Sequence, residues 1–261
     1  MHARSALFDV YGDLLSQRGN RSSVAGLVRL LAPTGIAAPA VRTAISRMVS
    51  QGWLEPATVA GARGYAATEQ AIRRLDAARE RIYRRTTSEW DHHWQLVFVC
   101  TPIDRPARAR VQRELSFLGY AEFSDLVWVS PFVRRDLDVA LERAGARAHT
   151  AVASDFSPPG APAAAWDLER LAAAYATWLA SAEAEIDRHL AGHDDPDEAA
   201  FAARFHLVHE WRKFLFEDPG LPDELLPADW PGRAAAAFFT AAAERLQPGA
   251  DRFVARTLSE G

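Results

Sequence analysis

The stretch PAVRTAISRMVSQGWL, residues 39–54, repeats apolar side chains at Val41, Ala44, Ile45, Met48 and Val49, which is the period of a helix. Its other face carries Arg42, Thr43, Ser46, Arg47 and Ser50, with no carboxylate before Glu55. Arginines and short hydroxyls in this arrangement suit one kind of chemistry. A guanidinium binds phosphate or guanine in a bidentate way, and serine or threonine hydrogen-bonds to either. The alternative is a face that is simply solvated, but solvated faces usually mix both charge signs. Spacing alone does not choose between the two, so the flanking elements must.

Other reactive residue types lead to less. HLVHE puts His206, His209 and Glu210 on one helix with the histidines three apart, whereas the zinc-protease pattern has them four apart with Glu directly after the first. His92 and His93 are neighbours and diverge in a strand or turn. The lone Cys100, in LVFVC, excludes an intramolecular disulfide and is expected to be a small buried hydrophobe. GARG lacks the lysine and the strand-turn-helix setting of a phosphate loop, and no serine sits in a nucleophile elbow. No catalytic residue, metal or bound cofactor is therefore expected.

Charge is distributed unevenly. Residues 1–89 hold 13 arginines and 7 acids, a balance of +6; residues 90–165 come to −1, and residues 166–261 to −9, within a net charge of −4. Local field steers association with a polyanion, so the basic N-terminal third is the expected nucleic-acid module. With 261 residues, 49% of them hydrophobic, two or three domains with real cores are expected. No apolar run approaches the roughly 18–20 residues of a membrane span, and MHARSALFDV is too quickly acidic for a signal peptide, so a soluble, cytoplasmic protein with no membrane partner is expected.

Elements that position the arginine-bearing face can be read on both sides of it. SALFDVYGDLLSQRG predicts a helix with Ala6, Leu7, Val10, Leu14 and Leu15 inward and Gly19 as its stop. SSVAGLVRLLAPTGI predicts a second helix, begun by Ser22 or Ser23 and broken at Pro33 to Gly35, after which Pro39 opens the third. That is the helix-turn-helix order. GWLEPATVAGARGYAAT then reads as a small β-ribbon, a wing, with Arg63 at its tip, from which an arginine can reach a minor groove or a phosphate. The tri-helical setting favours DNA contact over solvation for Arg42, Thr43, Ser46, Arg47, Ser50 and Arg63.

A helix over Thr68 to Arg85 follows, with Ile72, Leu75, Ile82 and Tyr83 inward; its arginines at 73, 74, 79, 81, 84 and 85 serve phosphate contact or solubility equally well. Residues 94–153 alternate in β-α-β-β-α-β order, the ferredoxin-like pattern. After the proline-rich SDFSPPGAPAAAW come helices, with Trp166, Leu168, Leu171, Tyr175, Trp178, Leu179, Ala182, Ile186 and Leu190 in register and another helix starting near DPDE, 195–198. The aromatic residues of this acidic third permit a pocket or a plain helical core. The expected fold class is α+β and multidomain: a winged helix-turn-helix with its connecting helix over 1–88, a ferredoxin-like domain over 89–157 and an α-helical domain over 158–261.

YGDLL, AVRTAISRMVSQGWL, WDHHWQLVFVCTP, WDLERLAAAY and HEWRKFLFEDPGLPDELLPADWPG, in that order, resemble the PaaX family, repressors of phenylacetic acid degradation. The resemblance implies the same central domain, a homodimer on double-stranded operator DNA, and an aryl-coenzyme A thioester such as phenylacetyl-coenzyme A as inducer. One departure concerns the wing. Family wings close with Tyr, any residue, Leu, Thr and a Gly three residues on, where this chain has Tyr65, Ala66, Ala67, Thr68 and Ala71.

A thioester site needs cations beside aromatic walls. Arg212 and Lys213 follow His209 and Glu210, while Trp166, Trp211 and Trp230 lie in the family-like strings around them, so these residues are the candidates for effector binding. They serve equally as helix-packing or dimer contacts. Two other function classes stay open on the sequence: an enzyme acting on an acyl-coenzyme A or nucleotide with an accessory winged helix, and a winged-helix protein-interaction module. The first lacks a visible catalytic centre, and the +6 balance speaks against the second.

Overall fold

The computed structural model describes residues 1–82, 90–100, 104–158 and 160–259. Its contacts group the chain into two compact units, one of Met1–Arg84, Thr177–Lys213 and Arg233–Gly261, the other of Arg85–Ala176 and Phe214–Gly232. Both ends of the chain share the first unit.

In the first unit, α1 (Ala3–Asp9) runs into a single π-helical turn, Val10–Leu14, and not into the uninterrupted helix the spacing predicts. The wider turn shifts the register by one residue, so Tyr11 is fully buried beside Leu7, Val10 and Leu15, while Leu14 is only half-buried. A three-residue strand, β1 (Arg21–Ser23), comes next; it is too short to show alternation in the sequence. Ser23 then caps α2 (Val24–Leu31), its hydroxyl oxygen accepting from the Gly26 amide at 3.0 Å.

A 3₁₀ turn, Ala32–Thr34, and the left-handed Gly35 lead into α3 (Ala38–Ser50), which has Pro39 in its first turn. Gly52, at φ 72°, ends α3 and lets the Trp53 amide donate back to the Met48 carbonyl at 2.9 Å. Val41, Ala44, Ile45 and Met48 are buried in one core with Leu7, Leu27, Leu30, Leu31 and, from the far end of the chain, Phe201, Phe205 and Phe253. Each of the larger side chains contributes about 1.5–3 kcal/mol by leaving water.

β2 (Leu54–Val59) and β3 (Ala62–Ala67) form the ribbon, and β1 adds to it in the order β1-β3-β2. Ala60 and Gly61, both at positive φ, make the two-residue turn. Arg63, placed at the tip by the sequence reading, therefore lies inside β3, opposite Thr58. β1 and β3 approach closely at Gly64, where an added Cβ would lie 2.5 Å from the Ser22 carbonyl oxygen. Gly64→Ala is expected to push β1 from the ribbon and cost about 1–3 kcal/mol, read as a lower urea midpoint; an unchanged midpoint would show that β1 adds nothing to stability. α4 (Glu69–Ile82) follows, with Ile72 and Leu75 packed against the core. Tyr83, Arg84 and Arg85 lie outside the described residues.

The second unit holds β4 (Trp94–Val99), α5 (Arg105–Phe117), β5 (Ala121–Ser124), β6 (Val127–Ser130), α6 (Leu137–Ala144) and β7 (Ala148–Ala153). The strands form an antiparallel sheet in the order β5-β6-β4-β7. Val97, Val99, Tyr120 and Trp128 pack there with Val111 and Leu115 of α5 and Leu137 and Leu141 of α6. Cys100, expected to be buried, is exposed: it stands just past the end of β4, its thiol donating to the Phe98 carbonyl at 3.1 Å. The remaining helices are α7 (Leu168–Ala191), α8 (Pro196–Trp211), the short α9 (Phe214–Glu217) and α10 (Pro231–Ser259). Asp195 caps α8, accepting from the Asp197 amide at 2.8 Å. Among the described residues no helix is long and apolar enough to cross a membrane.

Candidate nucleic-acid interface

Burial divides α3 as its sequence predicts. Arg42, Thr43, Ser46, Arg47 and Ser50 are all exposed, on the face opposite the buried Val41, Ala44, Ile45 and Met48. The Ser50 hydroxyl donates to the Arg47 carbonyl at 2.9 Å, within the last turn. Neither Arg42 nor Arg47 has an ion-pair partner among the described residues, so both guanidinium groups are available to an outside anion. The exposed face thus carries two cations, three hydroxyls and no acid.

The ribbon is fixed to the same core. The Tyr11 hydroxyl donates to the Tyr65 carbonyl at 3.0 Å, and the Thr68 hydroxyl donates to the Gly52 carbonyl at 2.8 Å while accepting from the Ala71 amide. Ala67 and Ala71, the two departures from the family wing, are buried there. Arg63 is exposed, but its guanidinium donates to the Tyr65 hydroxyl at 3.0 Å and lies 5.9 Å from that ring. It is a partly committed cation, whereas those of α3 are not. Along α4, Arg73 pairs with Glu69 at 3.6 Å and Arg74 lies 5.7 Å from the Trp53 ring, uses that sequence spacing does not separate from phosphate contact.

α8 holds α1 through a buried network of the kind that the His209 to Arg212 stretch allows, a hydrogen-bonded core network, although that stretch does not name its partners on α1. Asp9 is buried and faces His209 at 2.6 Å and Arg212 at 2.9 Å; Arg212 also donates to Ser5, and Arg204 pairs with Asp13. Burial raises the Asp9 carboxyl above its ordinary range, against the opposing pull of His209 and Arg212. α8 also packs against the 3₁₀ turn that precedes α3, and Arg29 of α2 donates to the Thr257 carbonyl of α10 at 3.1 Å. The only local hint of this network was Asp9 on an otherwise apolar helix face.

The six effector candidates all have structural work to do. In the first unit His209 and Arg212 belong to the Asp9 network, Trp211 stacks on Phe239 at 4.7 Å and donates to the Ile82 carbonyl, and exposed Lys213 pairs with Glu210. In the second unit Trp166 stacks on Trp94 at 6.1 Å, and buried Trp230 meets Tyr175 edge-on at 6.0 Å. His206 and His209, three apart on α8, turn to different neighbours, since His206 stacks on His189. No group of three or more metal-ligating side chains occurs among the described residues.

Three family models match the chain in sequence order: a PaaX-like protein model over residues 2–71, a PaaX protein central Cas2-like domain over 87–163, and a PaaX-like protein C-terminal domain over 166–256. The transcriptional repressor PaaX of Escherichia coli (strain K12) is 28% identical over 260 residues, covering 96% of this chain and 82% of its own length. A solved structure of an uncharacterized protein from Mycobacterium tuberculosis is similar with a TM-score of 0.55 at 28% identity, covering 95% of this chain and 98% of that one.

Proposed function

Because the chain belongs to the PaaX-like family along nearly its whole length, we propose that it is a transcriptional repressor that reads double-stranded operator DNA with α3. The observation that carries this is the exposed α3 face of Arg42, Thr43, Ser46, Arg47 and Ser50, free of carboxylates and mounted on a buried apolar stripe. In this reading α1 to α3 with β2 and β3 form a winged helix-turn-helix, α3 enters the major groove, and the β4 to β7 unit is a ferredoxin-like domain. The protein acts as a cytoplasmic homodimer, because one recognition helix reads few base pairs and two copies about 34 Å apart multiply their discrimination. The family supports a phenylacetate-type catabolic operon as target and an aryl-coenzyme A thioester as inducer.

The test is binding of the full chain to its own upstream region, with and without a panel of acyl-coenzyme A thioesters. Tight, salt-sensitive binding and release by an aryl thioester that is not consumed are expected. No preference for that region over unrelated DNA would refute the reading. Turnover of the thioester would favour an enzyme.

Arg63 gives a finer check. If its guanidinium leaves Tyr65 for a phosphate, Arg63→Ala should reduce the slope of log affinity against log salt by about one and weaken all sequences alike. An unchanged slope would leave Arg63 as a strut of the ribbon.

A further inference from the structure

α8 has two working faces. One grips α1 and the turn before α3; the other, across from α7, lines a cavity of about 340 Å³. That volume is at the lower end of the roughly 300–1,000 Å³ of small-molecule sites. Its apolar walls include Trp178, Ile186 and Leu207, and Trp178 is braced by Trp211 at 4.9 Å. Across it His189 of α7 and His206 of α8 stack at 3.8 Å with planes 9° apart. Parallel rings do not converge their lone pairs on one ion, so this pair is not a metal clasp.

Burial holds both imidazoles below their usual range, against the opposing charge of Glu185 at His189 and with a further push from His189 at His206, which lies at about 4. At neutral pH they are uncharged donors and acceptors. The charged groups lining the cavity are the carboxylates Glu185 and Glu210, already paired with Arg188 and Lys213, and no arginine or lysine is in the lining. An anion finds no cation in the lining, a cation finds both carboxylates engaged, and a planar apolar ring finds Trp178 and two neutral imidazoles.

We propose that the α7/α8 cavity is a binding site for a small, uncharged aromatic group, and that its occupancy is relayed by α8 to the turn that sets α3. The regulatory half rests on the repressor reading above; the binding half does not. The ring can arrive as a free small molecule or as the aryl end of a thioester whose polyphosphate stays outside.

The experiment is calorimetric titration of the full chain with phenylacetamide and with phenylacetate, beside DNA binding to the upstream region. Saturable one-to-one binding of phenylacetamide, at least tenfold tighter than phenylacetate, is expected. Ser181→Trp, an exposed mouth position, should weaken it tenfold or more and abolish any effect of phenylacetamide on DNA affinity. If that variant does not fold, His206→Leu should weaken binding similarly. Competition by phenylacetyl-coenzyme A assigns the ring to a thioester; lack of competition assigns it to a free molecule. No saturable binding, or equal binding by a folded blocked variant, overturns the site even if the protein binds DNA. Binding by a protein that ignores DNA keeps the site and removes the repressor reading.

Discussion

Asp9→Ala is expected to destabilise the protein by about 3–5 kcal/mol, because it removes the acceptor at the centre of a buried charged cluster. His209 and Arg212 approach the Asp9 carboxyl at 2.6 and 2.9 Å, and Asp9 itself is only 6% exposed. Truncation takes the carboxylate from the buried His209 imidazole and leaves the Arg212 guanidinium with the Ser5 hydroxyl. A wholly apolar redesign of the cluster would be far milder than breaking it on one side. The measurement is urea unfolding: the midpoint should fall with the slope unchanged, since the surface exposed on unfolding is the same. A loss below 1 kcal/mol would mean that the contact between α8 and α1 rests on apolar packing alone.

Arg47→Ala is expected to weaken binding to the true operator by about 1–3 kcal/mol, the range of one bidentate base contact. Arg47 is exposed on α3, and the side chains that hold the helix in place point the other way. A change at this position is therefore expected to leave folding intact. The melting temperature should hardly move while affinity falls, most for the operator and least for unrelated DNA. Wild-type affinity at low salt would remove Arg47 from the reading set and put the burden on Arg42.

The division of α3 into an exposed polar face and a packing face was legible because both are properties of one uninterrupted period. The helices around it and the alternation of the central unit were legible for the same reason. Features set by partners distant in sequence were not. Asp9 and His209 are 200 residues apart, and neither has a local signal that names the other. Arg63 was misplaced because the ribbon turns on two residues, Ala60 and Gly61, where the run of small residues AGARG suggested a longer loop. Cys100 was misread because apolar neighbours in β4 say nothing of the point where the strand leaves the sheet. The packing and ion-pair partners of Trp211 and Arg212 likewise come from distant parts of the chain and have no local signal.

The shared core of the first unit also sets the order of events on the ribosome. Asp13 and Asp9 are made 191 and 200 residues before Arg204 and His209. At about 5–20 residues per second, that interval lasts roughly 10–40 s. Throughout it the nascent α1 to α3 segment lacks Phe201, Phe205 and Phe253, which complete its core, and its two aspartates lack Arg204 and His209. The core beneath α3 is complete only when the last helices have been synthesised. A chain abandoned midway through translation thus lacks part of the core that backs the arginine-bearing face of α3.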